Sequence, residues 1–249
     1  MNEAQRERYS RQIRLPWIGP EGQQRLLDAR VFIVGMGGLG SPAAMYLAAA
    51  GVGHLVINDY DRVDASNLQR QIIHRTSDIG SGKVESARDT LREINTGVRV
   101  TAIGWQLEGR ELDAEVDKAD VVLDCSDNFT TRFALNAACV ARGTPLVSGA
   151  AIRAEAQIAT FVPADPESPC YRCLYEEGDE SAETCAAEGV VAPLVGIVGS
   201  MQALEAVKII VAAGRTLCGR LLLLDALTMA WRELRLPRAP DCPVCSRRP

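Results

Sequence analysis

The sequence predicts an α/β fold with a doubly wound, mainly parallel sheet, and three observations carry that prediction. Short β-rich runs recur at 31–34, 55–58, 98–103, 121–124, 145–149 and 157–162, with helical patterning between them. The first run leads directly into Gly35-Met36-Gly37-Gly38-Leu39-Gly40 and a helical pattern. The second, Leu55-Val56-Ile57-Asn58, is followed by Asp59, 24 residues after Gly35. Strand, glycine-rich turn, helix, strand and acid, in that order, describe a Rossmann-like nucleotide site.

The remaining elements follow in chain order. Residues 3–29 read as helical, with a break from Pro16 to Pro20, and the early part carries Arg6, Arg8, Arg11 and Arg14. Residues 30–162 form the nucleotide-binding core, and 67–83 reads as loop and short helix beside the first crossover. Pro163, Pro166 and Pro169 precede an acidic stretch, Glu176-Glu177-Gly178-Asp179-Glu180-Ser181, so 163–192 is expected to be a long exposed loop. Pro193 opens an apolar helical run to about Ala213, and 221–225 and 230–236 alternate as two strands of a C-terminal antiparallel portion. With no internal repeat or low-complexity segment, residues 1–249 are expected to form a single domain, with 193–249 as its C-terminal helix, strands and tail.

Composition narrows the function. A net charge of −5 argues against a nucleic-acid binder driven by phosphate neutralisation. The N-terminus is polar and no run of about 18 apolar residues appears, so no signal peptide, no membrane span and a cytoplasmic location are expected. In a reducing compartment eight cysteines suggest metal or reactive thiols rather than disulfides. Two histidines, His54 and His74, leave little material for a histidine relay.

The glycine loop supplies the first chemistry. Gly35 allows the tight turn, Gly37 and Gly38 let backbone N–H groups approach a phosphate, and Gly40 completes the pattern as the helix opens. Asp59 stands where a carboxylate accepts bonds from ribose hydroxyls. Beyond it, Asn67, Arg70, Lys83 and Asp127 have no obvious core role. An arginine and a lysine can neutralise a triphosphate, and a carboxylate just past the strand at 121–123 can hold Mg²⁺. In-line attack at phosphorus needs that charge compensation and no histidine base.

Cys170-x-x-Cys173 and Cys242-x-x-Cys245 are two C-x₂-C pairs separated by 68 residues. Together they suit one closed, tetrahedral Cys₄ zinc site clipping the tail to the loop. Cys125 and Cys139 read as core residues, Cys218 is ambiguous, and Cys185 lies in a polar segment where a thiol is available for exchange or acyl capture.

These segments together resemble the MoeB/ThiF (HesA) group of the ubiquitin-activating-enzyme superfamily. The matching stretches are Arg8-Tyr9-Ser10-Arg11-Gln12, 35–40, Ala50-Gly51-Val52-Gly53, 66–71, Lys83, 124–128, Pro169-Cys170-Tyr171-Arg172-Cys173-Leu174 and 242–245, nearly the whole chain. The resemblance implies a homodimer that binds Mg·ATP, adenylates the C-terminal Gly-Gly carboxylate of a small ubiquitin-like sulfur carrier, and releases pyrophosphate. It implies that Asp59 binds the ribose, that Asn67, Arg70 and Lys83 contact the phosphates, that Asp127 holds Mg²⁺ with Asn128 beside it, and that Arg11 reaches the neighbouring subunit's γ-phosphate.

Two departures stand out. Family members often have Glu-Gly-Gln where this chain has Glu155-Ala156-Gln157. The chain also ends four residues after Cys245, without an appended rhodanese domain, which implies a separate sulfur donor. Cys185 matches a position that forms a covalent carrier link in thiamine-pathway members. Molybdopterin-pathway members carry a cysteine there too, so it does not separate the pathways. The alternatives are a relative that adenylates a peptide or modified nucleoside, an NAD-dependent dehydrogenase with structural zinc, and a non-catalytic scaffold. The dehydrogenase would leave Arg70, Lys83 and Asp127 unexplained.

Overall fold

The structure, a computed structural model, describes residues 1–176 and 188–246. Eight strands form one sheet in the order β3-β2-β1-β4-β5-β6-β7-β8. Its first half is parallel: β1 (Arg30–Val34), β2 (His54–Asn58), β3 (Arg99–Ile103), β4 (Val121–Asp124) and β5 (Leu146–Ile152). Helices α4 (Gly40–Ala50), α5 (Lys83–Ile94), α6 (Gly109–Asp117) and α7 (Phe129–Arg142) make the crossovers.

Both faces of the sheet are covered at β1, β2 and β4, which explains why these strands read as continuous apolar runs. In β1, Val31 and Ile33 belong to one core cluster and Phe32 and Val34 to the other, the two-residue alternation of a pleated strand. The first cluster lies under α4, α5 and the long C-terminal helix α8 (Ala192–Val211), and the second under α6 and α7. By length and composition α8 could cross a membrane, but half of that window is buried against the rest of the protein. It packs on α3 (Gly19–Asp28), α4, β5 and β6 as a core helix.

Three short helices precede the sheet, α1 (Glu3–Arg8), α2 (Ser10–Ile13) and α3; the break between α2 and α3 spans 14–18, so Pro20, expected within the break, lies in the first turn of α3. Asn2 and Gln5 form a capping box on α1. Buried Tyr9 anchors the segment, its hydroxyl accepting from Asn95 Nδ2 at 2.9 Å.

The structure corrects one reading. The run at 157–162 does not continue the strand–helix alternation. It lies in β6 (Glu155–Phe161), which folds straight back on β5 as an antiparallel hairpin, with Arg153 in the turn at φ 52°. The antiparallel half therefore begins at β6 and continues through β7 (Arg220–Asp225) to β8 (Ala230–Arg235), an exposed edge strand. Ala156 sits inside β6 opposite Ala151 with ordinary strand backbone, so this position does not require glycine.

Candidate nucleotide-binding site

The strand order reverses direction between β1 and β4, and the loops that leave these two strands open a crevice at the carboxyl edge of the sheet. A cleft of about 610 Å³ occupies this place. Gly35, Gly37, Gly38, Asp59, Arg70, Lys83, Asp127 and Asn128 all line it. Eight residues spread over 94 positions of sequence thus meet in one cavity.

The loop after β1 is built from close approaches. Gly35 has φ 95°, and a side chain there would place its Cβ 2.6 Å from the Cys125 carbonyl oxygen. A Cβ at Gly40 would fall 1.9 Å from the Gly35 carbonyl oxygen. Among the described residues, the backbone N–H groups of Gly37, Gly38, Leu39 and Gly40 find no backbone acceptor. Unsatisfied amides at the start of an 11-residue helix make an anion-binding end.

Asp59 is held by two backbone donors. Its Oδ2 accepts from Met36 N–H at 2.8 Å and its Oδ1 from Asp61 N–H at 2.9 Å. Burial raises the Asp59 carboxyl above its ordinary range, opposed by Lys83 and by these two N–H bonds. Lys83, the first residue of α5, is almost fully buried, with Nζ 2.9 Å from Asp61 Oδ2 and 3.9 Å from Asp59 Oδ2. Arg70 donates from Nη1 to the Ser66 carbonyl at 3.1 Å while lining the cleft.

A buried network sets the opposite wall. Asp124 Oδ1 accepts from Ser126 Oγ at 2.6 Å and its Oδ2 from Ser148 Oγ at 2.7 Å. Buried Arg132 donates to the Ser126 and Gly149 carbonyls. The backbone on both sides of Asp127 is thereby fixed, and Asn128 caps α7, its Oδ1 accepting from Thr131 N–H at 2.8 Å. Asp127 itself is exposed on the cleft and makes no hydrogen bond or ion pair among the described residues. Beyond it the cleft becomes apolar along Phe129, Tyr171 and Tyr175, and the Tyr175 hydroxyl donates to Gln157 Oε1 at 2.7 Å.

This geometry is accompanied by similarity along nearly the whole chain. Residues 9–244 match the ThiF family. The chain belongs to the ThiF family. Over 240 residues it is 49% identical to the molybdopterin-synthase adenylyltransferase of Escherichia coli (strain K12), covering 96% of each protein. Over 245 residues it is 47% identical to the sulfur carrier protein ThiS adenylyltransferase of the same organism, covering 98% of this chain and 97% of that protein. The fold superposes on E. coli MccB solved with succinimide at a TM-score of 0.84 and 23% identity, over 96% of this chain and 73% of that one.

The second site of this ThiF-family chain is a cysteine cluster. The sulfur atoms of Cys170, Cys173, Cys242 and Cys245 lie within 4.8 Å of one another. Neighbouring sulfurs are 3.5 to 3.9 Å apart, close to the edge of about 3.8 Å expected for a tetrahedron of Zn–S bonds. Hydrogen bonding with Cys170 first, and then the N–H groups of Cys170 and Ala239, lower the Cys173 thiol against the opposing effect of burial. Arg238 ties the tail to the loop before the first pair, donating to the Pro166 carbonyl at 2.7 Å.

Not every expected residue reaches the cleft. Gly40 supports the loop from within α4 and is not in the lining. Asn67 is half-buried with its Oδ1 accepting from Asp64 N–H at 3.1 Å, a local turn contact outside the lining. Arg11 is exposed on α2, also outside the lining of its own chain's cleft. Cys185 lies outside the described residues. Cys125 and Cys139 are buried core residues, as expected, and burial raises both thiols. Cys218 is half-buried, its Sγ 3.9 Å from Asp165 Oδ2.

Sequence reasoning passed over two side chains behind the glycine loop. His74 Nε2 lies 3.1 Å from the Met36 carbonyl and its Nδ1 2.8 Å from Ser86 Oγ, and burial holds its pKa below the ordinary value. Gln71 is buried and lines the cleft. Both fall in the irregular 67–83 segment, where no periodicity marks a core face.

Proposed function

We propose that this chain is an ATP-dependent adenylyltransferase acting on the C-terminal Gly-Gly carboxylate of a small ubiquitin-like sulfur carrier. The observation that carries this reading is the cleft. It joins an anion-binding helix end and a ribose-type acid to two cations, Arg70 and Lys83, and to an unpaired carboxylate, Asp127. Similarity over nearly the full length to a molybdopterin-synthase adenylyltransferase and to a sulfur carrier protein ThiS adenylyltransferase supports the substrate class.

In this reading a carrier carboxylate oxygen attacks the α-phosphorus of ATP. The bond from that phosphorus to the bridging oxygen breaks, and pyrophosphate leaves with the electron pair. The free amides of the loop and the Arg70 and Lys83 side chains offset charge as it shifts onto the leaving group. Asp127 supplies a hard oxygen ligand of the kind Mg²⁺ takes, and the ion would add charge compensation at the phosphates. The apolar end of the cleft, along Tyr171 and Tyr175, suits a narrow peptide tail without side chains.

The four thiolates fit Zn²⁺ by donor type and spacing, with no position left for catalysis. Bound there, Zn²⁺ would hold the tail, through Cys242 and Cys245, to the loop that carries Cys170 and Cys173. The same reading makes the enzyme a cytoplasmic homodimer in which Arg11 serves the partner subunit's nucleotide, with a separate sulfur donor completing the thiocarboxylate. Cys185 is then the candidate for a covalent carrier link.

The test is ATP–pyrophosphate exchange with purified protein, Mg²⁺ and a panel of Gly-Gly-ending carriers. Exchange that depends on one carrier and vanishes when its terminal glycine is deleted is the expected result. ATP binding without exchange for any carrier would redirect the reading to peptide or nucleoside substrates. NAD binding without ATP binding would replace it.

A further inference from the structure

The phosphate-facing groups assigned so far are backbone amides, Arg70 and Lys83. Among the other polar side chains of the cleft, one is buried against the glycine loop. Gln71 follows Arg70, is only 4% exposed, and lines the cleft. Its backbone is fully engaged, the N–H donating to the Asn67 carbonyl at 2.9 Å and the carbonyl accepting from His74 N–H at 3.1 Å. Its side-chain amide makes no hydrogen bond among the described residues, and Oε1 is a buried acceptor with no partner. A buried glutamine left unpaired is unusual, because burial strips the amide of water and the chain normally returns a partner.

The position of that amide is informative. A Cβ placed on Gly37 would lie 3.4 Å from Gln71 Nε2 and 3.9 Å from its Cδ. The amide therefore sits against the face of the glycine loop, beside the N–H groups of Gly37 and Gly38 that lack backbone acceptors. An anion seated on those amides comes within reach of the Nε2 donor, which has no acceptor among the described residues, whereas Oε1, itself an acceptor, gains nothing from a phosphate.

We propose that Gln71 contacts the triphosphate, its amide donating to a non-bridging phosphate oxygen when the nucleotide settles on the glycine loop. This rests on the adenylation reading above and adds an uncharged donor to it. The distinction matters for the chemistry. Cations such as Arg70 and Lys83 also attract product pyrophosphate, whereas an amide orients an oxygen without adding charge that would retain the product.

Titration calorimetry on the full-length protein with Mg·ATP and with adenosine tests the assignment. Gln71→Met keeps length and volume and removes hydrogen bonding. It should weaken ATP binding about tenfold or more while leaving adenosine binding unchanged. The melting temperature of the free protein should hold or rise, because an unpaired buried acceptor has been removed. Gln71→Glu keeps the shape and sets a negative charge beside the phosphates, so it should lose still more ATP affinity and keep adenosine. It provides the answer if the methionine variant does not fold. Wild-type ATP affinity in either variant, or equal losses for ATP and adenosine, would overturn the assignment and leave Gln71 a packing residue. Wild-type protein that binds no ATP would remove the adenylation reading itself.

Discussion

Asp59 Oδ2 accepts the backbone N–H of Met36 at 2.8 Å, so the acid that follows β2 is hydrogen-bonded to the glycine loop that follows β1. The bond joins the two halves of a nucleotide site before any nucleotide arrives. The same oxygen is 3.9 Å from Lys83 Nζ, at the head of α5. The acid proposed for the ribose, the glycine loop and the lysine proposed for the phosphates thus share one fixed cluster. Such preorganisation lowers the ordering cost that binding must otherwise meet.

Asp127 has the opposite character, exposed and, among the described residues, unpaired beside a tightly bonded Asp124. Asp127→Ala should reduce carrier-dependent pyrophosphate exchange by about 10²-fold or more, the scale of a lost charge-stabilising group. Stability should change by less than about 0.5 kcal/mol, as for other surface substitutions. Near-normal exchange in the variant would take Asp127 out of the reaction.

Arg11 lies outside its own chain's cleft, which is where a residue serving the partner subunit would stand. Arg11→Ala and Arg70→Ala should each be inactive alone. After subunit exchange, half the dimers are mixed and each contains one complete site, so activity should recover to about a quarter of wild type. If exchange is verified by mass and no activity returns, action across the dimer is wrong.

Zinc removal should act on the tail and not on the nucleotide. Chelation, or Cys242→Ser, should lower the melting temperature by about 5 °C or more and expose the last residues to protease. ATP affinity should stay within about twofold of wild type, well under the tenfold that 1.4 kcal/mol represents. Unchanged melting after verified metal loss would end the structural role.

His54 gives a pH signature remote from the cleft. Arg99 Nη2 lies 2.7 Å from its Nδ1, which makes Nδ1 the acceptor and places the ring proton on Nε2, toward Thr101 Oγ1 at 2.9 Å. Burial first, then the charges of Arg99 and Arg30, lower its pKa to about 4. The unfolded chain takes up a proton near the ordinary value of about 6.5 while the folded chain refuses it. Its contribution to stability is therefore full above pH 6.5 and is lost as the pH falls toward about 4. Melting curves from pH 7 to 5 should fall less steeply for His54→Gln than for wild type. Identical slopes would contradict this.

Much of the fold was legible because its signals are local. The runs that became β1, β2 and β4 are apolar on both faces, a pattern that only a covered sheet satisfies. The β5–β6 hairpin escaped because its direction depends on a turn with no glycine signal, where Arg153 itself takes φ 52°. Asn67 kept the right neighbourhood but spends its side-chain oxygen on Asp64, a local choice that a motif does not disclose. Gln71 and His74 were missed because their burial comes from the packing of an irregular segment against the glycine loop and α5.

By itself the sequence determined the strand–glycine–helix–acid order, the two cysteine pairs and the identities of the cations and carboxylates, because backbone conformation, periodicity and side-chain chemistry reside in neighbouring residues. Only the tertiary structure decided which of them share a cavity. Gly35 and Asp127 meet because β1 and β4 are adjacent in the sheet. The sulfurs of Cys170 and Cys242, 72 residues apart, come within 3.6 Å because the antiparallel half brings the tail back across the sheet. Those approaches depend on strand order and on which face each helix covers, and these are settled by burying apolar surface over the whole chain at once.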